Sequence, residues 1–229
     1  MIAALLPAVF WSAVTILGYF LAKRLHHRLG RWWSSPLVLA PLGLIALALA
    51  LHESYRAYIA GTHWLVSLLG PATVAFAVPI WEQRALIRRA WPVLLAGVLV
   101  GSVTAMLTAW LMAQALGLDP QLRLSLLPRS MSTPFAMTVS GEIGGLPDLT
   151  AVFVVITGVF GAMVGEVILA VLPLRSALAR GALFGMGAHG AGVAKAHGIG
   201  REEGTVAGLI MVLVGLVNVL VAPVLAKLL

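Results

Sequence analysis

The chain has no cysteine. That excludes disulfides, thiolate nucleophiles and thiolate metal sites, and it leaves the compartment open. Charge is almost as scarce. Only 10% of the 229 residues are Asp, Glu, Lys or Arg, where a soluble domain carries about 25%. Too few charges are present to cover a water-facing surface, while 61% of residues are hydrophobic and the mean hydropathy is +1.02. An integral membrane protein is the class that fits. Also missing is a basic stretch ahead of the first apolar run. Met1-Ile-Ala-Ala-Leu-Leu-Pro lacks the n-region of a cleaved signal peptide, so residues 2–22 are expected to stay as a helix.

Acids are the scarcer sign, eight against fifteen bases, for a net charge of +7. Nucleic acid is rejected as the partner. The bases sit in short clusters beside apolar runs, which suits orientation in a bilayer and contact with anionic lipid. Lys plus Arg number four in residues 23–33, three in 82–91 and two in 173–180, against one in 52–62 and two in 117–129. With the first set cytoplasmic, the N-terminus lies outside, and residues 124–146 must enter and leave on one side or count as two half-passes.

What is present is a series of apolar runs: 2–22, 36–51, 64–80, 92–116, 149–172, 181–198 and 204–226. The expected fold is all-α and polytopic, a single membrane domain over 1–229 with about seven or eight membrane elements, some broken or re-entrant. Residues 52–62 read as a polar link, 82–91 as a basic turn and 117–129 as a loop. Pro147-Asp148 reads as a helix start with Asp148 as N-cap. The run at 64–80 is broken by Gly70-Pro71 and Pro79, and 181–198 is dense in glycine. A broken run, a charged turn and a long span occur at 64–116 and again at 181–226. That coarse rhyme is the mark of inverted-repeat transporters, with repeat halves near 1–116 and 117–229.

The most informative stretch is Pro128 to Pro147. Helix breakers, hydroxyls and one carboxylate stand where a plain span would carry Leu and Val. Non-helical backbone at membrane depth is tolerated only when buried in protein or lining a wet cavity. Ser130, Ser132, Thr133 and Ser140 surround the helix breaker Pro134. A free helix N-terminus there offers a carboxylate unpaired N–H groups and partial positive charge. The alternative is hydroxyls bonded to their own backbone. Lys195 reads either as a neutraliser of substrate carboxylate or as a side chain snorkelling near Arg201. His189 reads as a proton relay or donor, or as a satisfied buried histidine. Glu142 reads as a coupling-proton acceptor or as a loop carboxylate. Glu166 faces a lumen or pairs with an arginine. Asn218 reads as helix–helix glue, and Glu202-Glu203 as a solvated helix start. No catalytic set, metal-ligand spacing or phosphate cradle is found, so neither an enzyme nor a cofactor is expected.

Five blocks carry a resemblance: Leu69-Gly-Pro-Ala-Thr-Val-Ala-Phe-Ala-Val-Pro79, Leu127-Pro-Arg-Ser-Met-Ser-Thr-Pro-Phe-Ala-Met137, Ile143-Gly-Gly-Leu-Pro-Asp-Leu-Thr-Ala-Val-Phe153, Ala179-Arg-Gly181 and Ala188-His-Gly-Ala-Gly-Val-Ala-Lys-Ala196. In order and kind they resemble the LrgB/CidB family of bacterial inner-membrane proteins, related to plant plastidic glycolate/glycerate translocators. The resemblance implies one of two activities. One is transport of small monocarboxylates of the pyruvate, glycolate or glycerate class, with or without a coupled proton. The other is holin/antiholin-like regulation of autolysis by oligomerisation or partner binding. It also implies a small LrgA/CidA-type membrane partner, and the transport reading goes with a homo-oligomer, a dimer. Thr73 and Gly190, which lie in these blocks, join Ser130, Ser132, Thr133, Pro134, His189 and Lys195 as substrate-binding candidates. The chain departs from the family in three places. Ser130-Met-Ser-Thr-Pro134 replaces Ser-Val-Thr-Thr-Pro, Gly190-Ala-Gly-Val193 replaces Gly-Ile-Gly-Thr, and Glu166 stands where relatives tend to have proline.

The charge count makes a testable statement. Single cysteines introduced one at a time into this cysteine-free chain should be labelled from the cytoplasmic side at residues 28, 88 and 175. Labelling of Arg28→Cys from the outside alone would overturn the orientation.

Overall fold

In hydrocarbon no water satisfies backbone N–H and C=O groups, so an apolar chain must pair them within itself. The computed structural model does this with helices throughout. It describes residues 2–30, 32–75 and 77–228, without the side chains of residues 2–5, 32, 72, 73 and 228, and no strand occurs among the described residues. The helices are α1 (Ile2–Leu29), α2 (Pro36–Ala50), α3 (Tyr55–Ser67), α4 (Leu69–Ala75), α5 (Ala77–Glu82), α6 (Arg84–Ala115), α7 (Pro120–Leu126), α8 (Thr133–Glu142), α9 (Pro147–Val171), α10 (Ala177–Ile199) and α11 (Arg201–Leu228). Four of them, α1, α6, α9 and α11, are long and apolar enough to cross a membrane.

Several boundaries differ from the sequence expectation. The basic stretch after residue 22 stays helical to Leu29, and the helix stops where Gly30 takes φ 62° and returns its N–H to His26 O at 2.8 Å. The link at 52–62 is mostly helix, because Ser54 caps α3 by accepting from Ala57 N–H at 3.2 Å. The turn at 82–91 is absorbed into α6, whose only non-helical residue, Ala90, precedes Pro92 closely enough to mark a proline kink. Within 117–129, Asp119 caps α7, and α9 begins with Pro147 at its first position, so Asp148 lies in the first turn and Leu146 is the N-cap.

The chain divides into two compact units, Met1–Ala72 and Thr73–Leu229. In the first, α1 packs on α2 and α3. Trp11 is buried there, Ser12 Oγ donates to Gly61 O at 3.1 Å, and Trp64 Nε1 donates to Ser12 Oγ at 2.8 Å.

The second unit is built around α9. Its faces differ in side-chain size rather than polarity. Val152, Ile156, Phe160, Val164, Val167 and Val171 are exposed at intervals of three and four, a stripe suited to lipid. The opposite stripe, Thr150, Val154, Gly158, Gly161 and Gly165, is small: Gly161 takes the Gly187 carbonyl, and Gly158 and Gly165 take the His189 and Phe184 rings.

Two segments on that face turn back on themselves. In the first, Ser125 and Ser140 meet at Thr150, so α7 with its following 3-10 turn (Leu127–Ser130) enters, and α8 returns. In the second, α10 breaks at His189, and its returning half lies so close that a Cβ on Gly192 would strike Phe184 O. Gly165 faces Phe184 and Gly158 faces His189, so the outgoing half of α10 runs antiparallel to α9. The returning half then runs antiparallel to α11, with Gly204 against His197. Each hairpin is followed by a long span, α9 or α11. The first opens at the N-terminal end of α9 and the second at its C-terminal end. This repeat, 120–171 against 177–228, is tighter than the coarse rhyme in the sequence. Counting α1, α2, the broken α3–α5 series, α6, α9, α11 and the two hairpins gives eight elements among the described residues.

Glycine spacing makes this arrangement testable. A Cβ on Gly161 would run into the Gly187 carbonyl, whereas one on Gly187 meets nothing within 4 Å. Gly161→Val should cost ~1–3 kcal/mol by overpacking and lower the melting temperature in detergent. Gly187→Ala should melt at or above the wild-type temperature. Equal melting of Gly161→Val and wild type would mean that α9 and α10 do not approach this closely.

Candidate functional site

The two hairpin tips meet. α9 is ~37 Å long at 1.5 Å per residue, and Gly158, which faces His189, stands ~17 Å along it. The second tip therefore lies near mid-depth. There the 3-10 turn of the first tip packs against α10, with the Arg129 backbone close to the His189 ring.

The first tip is shaped by its sequence. Pro128 and Pro134 bracket a 3-10 turn and an extended pair, Met131-Ser132, after which α8 begins. Ser132 occupies the N-cap position with φ −66° and ψ 147°, yet its side chain makes no cap bond. Its hydroxyl is buried without any partner, in a residue only 6% exposed. The N-terminus of a ten-residue helix thus points its partial positive charge at the tip, beside an unused hydroxyl. The legs are held at the open end by fully buried Thr150, whose hydroxyl lies 2.7 Å from Ser140 Oγ, 2.9 Å from Ser125 O and 3.0 Å from Leu146 O.

The second tip is a single strained residue. His189 has φ 37° and ψ −119°, a conformation that costs a non-glycine residue ~1–3 kcal/mol. It is 4% exposed, and Nε2 has no partner. Buried polar atoms in folded proteins are nearly always hydrogen-bonded; of the four orphaned side-chain atoms among the described residues, Ser132 Oγ and His189 Nε2 lie at the adjoining tips, and Nε of Arg123 and of Arg180 lie away from them. Beside the first tip a cavity of about 10 Å³ is lined by Ser130, Met131, Met186, Ser102 and Asn218 among others. That volume holds at most about one water.

Of the sequence candidates, the structure brings together Ser130, Ser132, Thr133, Pro134, His189 and Gly190, the last exposed beside the second tip. It separates two others. Glu142 is exposed at the far end of α8, nine residues or ~13 Å from Thr133. Lys195 lies on the returning half of α10 and forms an ion pair with Glu166, both about half-exposed. Glu166 thus pairs with a lysine, not an arginine. The Thr73 side chain lies outside the described residues. Ser140 belongs to the Thr150 clamp rather than to the tip. Asn218 is the expected glue, with Nδ2 donating to Ser102 Oγ at 2.8 Å and Val214 O at 2.7 Å. Glu203 is buried and pairs with Arg180 at 3.4 Å, so only Glu202 suits a solvated helix start.

Arg129 was missed by placing it in a loop. Its guanidinium donates from Nη1 to Ala105 O at 3.2 Å, and no carboxylate lies within ion-pair distance among the described residues. A signal was available: Arg129 directly follows Pro128 inside the hydroxyl-rich block, where a solvated loop has no need of helix breakers.

The Lys195–Glu166 pair can be tested by melting. Lys195→Met and Glu166→Gln should each lower the melting temperature by leaving one charge unpaired, and the double variant should recover most of the loss. Simply additive losses would show that the two side chains do not interact.

The model of the LrgB-like family matches residues 15–228. YwbG, an uncharacterized protein of Bacillus subtilis (strain 168), is 37% identical over 210 residues, covering 92% of this chain and 93% of its own. An uncharacterized protein of Haemophilus influenzae is 33% identical over 218 residues, 95% of this chain and 94% of its own. The holin-like protein CidB of Staphylococcus aureus (strain N315) is 29% identical over 218 residues, 95% of each chain. No solved structure matches the chain.

Proposed function

The chain belongs to the LrgB-like family, is a multi-pass membrane protein, and from the meeting of its hairpin tips we propose that it is a secondary transporter of small monocarboxylates. The observation that carries this reading is the pair of orphaned polar atoms, Ser132 Oγ and His189 Nε2, buried where two oppositely opening hairpins converge. Broken segments converging near mid-depth are the arrangement that alternating-access carriers use for substrate. The chain catalyses no covalent chemistry in this reading.

A carboxylate entering the protein loses hydration that fixed donors must replace. The N-terminus of α8 supplies partial positive charge, and the Ser132 and Thr133 hydroxyls supply hydrogen bonds. His189 Nε2 is placed for a second polar group, such as the 2-oxo or 2-hydroxy oxygen of pyruvate, glycolate or glycerate. The cavity beside the first tip is too small for a C2–C4 acid, so loading requires one hairpin to shift. Lys195 and Glu142 take no part in binding at the tips. Transport follows the substrate gradient or a coupled proton, in a bacterial inner membrane, as a homodimer and with a small LrgA/CidA-type partner.

A second reading has one observation in its favour, the holin-like relative. A regulator that acts by oligomerisation needs apolar faces, which α6 and α9 expose in quantity. It has no use for a strained histidine and an unsatisfied hydroxyl at mid-depth, and the transport reading accounts for both.

Flux decides between them. Purified protein in liposomes should exchange labelled C2–C4 monocarboxylates. Each hydrogen bond to a charged group is worth ~1.5–3 kcal/mol, so Ser132→Ala or Thr133→Val should weaken substrate affinity roughly tenfold to a hundredfold while the protein still inserts. No flux of any acid by wild-type protein would remove the transport reading and leave the regulator.

A further inference from the structure

We propose that Arg129 is the fixed cation that receives the substrate carboxylate, an assignment that rests on the transport reading and deepens it. The tip region holds positive charge and no negative charge. Among the acids of the second unit, Asp119, Glu142 and Asp148 stand at the open end of the first hairpin. Glu202 and Glu203 stand at the open end of the second, Glu166 lies ~12 Å along α9 from Gly158 and is paired with Lys195, and Glu82 is exposed at the end of α5. The other cations of the two hairpins each have an acidic or aromatic partner, although Nε of Arg123 and of Arg180 is buried without a hydrogen bond. Lys195 has Glu166 and Arg180 has Glu203. Arg123 lies over the Trp110 ring, 5.0 Å from its centroid, and donates to Leu118 O. Among the described residues, the Arg129 guanidinium has the Ala105 carbonyl on one nitrogen and no acidic partner.

A guanidinium carries five N–H donors in a planar fork. One bond to a carbonyl leaves that fork largely unused and the charge uncompensated, half-buried at membrane depth. A charge in that position calls for an anion. The complementary group is a planar carboxylate, which Arg binds bidentately. Two further features bring the Arg129 backbone beside both orphaned groups. Arg129 is three residues before Ser132, whose hydroxyl is orphaned at the start of α8, and the Arg129 backbone lies close to the His189 ring, whose Nε2 is the other orphan. A single fixed cation suits monocarboxylates over dicarboxylates. Because arginine stays protonated at all working pH, capture of the anion should itself be independent of pH.

The test uses the full chain in proteoliposomes with pyruvate, glycolate and glycerate, and a thermal melt of purified protein with each acid, with pyruvamide and with chloride. Arg129→Gln should raise the half-saturating acid concentration at least thirtyfold and abolish stabilisation by the acid. Arg129→Lys, which keeps the charge and loses the fork, should raise it about tenfold. Pyruvamide should neither compete nor stabilise. If the wild type transports an acid and a folded variant does so with unchanged half-saturation, Arg129 is not the counter-charge and the transport reading survives. If the wild type transports none, that reading fails. The melt then decides alone: stabilisation of wild type but not of Arg129→Gln supports an anion site, and equal or absent stabilisation overturns it. Equal stabilisation by chloride overturns the carboxylate assignment. Should Arg129→Gln fail to fold, Arg129→Lys carries each of these decisions.

Discussion

The absence of water at membrane depth is the constraint on which the second unit depends. A hairpin that stops halfway across leaves its tip without regular backbone pairing. It survives only if protein covers it, and the cover here is α9. Because that cover must admit a carbonyl and two rings at close range, the facing stripe of α9 is small, with Gly161 against the Gly187 carbonyl and Gly158 and Gly165 against the His189 and Phe184 rings. The same helix turns large branched and aromatic side chains to its other face. One sequence therefore satisfies two apolar environments that differ in the space they leave and not in polarity.

Polar groups follow the same rule, and this separates structural from functional hydroxyls. Thr150, Ser140 and Ser125 lock the open end of the first hairpin with short bonds. Ser102 and Asn218 join α6 to α11. These buried groups are satisfied and need no ligand. Ser132 and His189 are not, and they sit at the tips, where strain at His189 is also concentrated. Unsatisfied hydrogen-bonding capacity and backbone strain in one place are the signature of a surface shaped for something other than its own stability.

Charge is distributed on the same plan. Carboxylates cap helices or pair with Arg180 at the open ends of the hairpins, and Glu166 pairs with Lys195 along α9. The tips are left with Arg129 alone. Beside them the cavity is no bigger than about one water, so an anion must make its own room there.

Much of this was legible in the residues. Composition alone places the chain in a membrane, and Pro128, Pro134, the hydroxyls between them and the glycines around His189 mark both broken segments, because helix breakers in an apolar run have few other uses. The same local logic located Ser132, Thr133 and His189. It misassigned Asp148, Glu203 and Ser140, and it left open what Lys195 and Glu166 do, because a side chain's partner is not encoded near it. Lys195 and Glu166 are 29 positions apart by their numbering, and they meet only because α10 folds back beside α9. Arg129 was hidden for the same reason. Its sequence neighbours suggest a loop, and only the convergence of two hairpins from opposite ends of α9 shows it to be a cation without an anion. The sequence by itself determined where the chain breaks, since backbone pairing and proline geometry are local. The tertiary structure decided which groups are satisfied, since in a low-dielectric interior that depends on partners brought from distant turns of the chain.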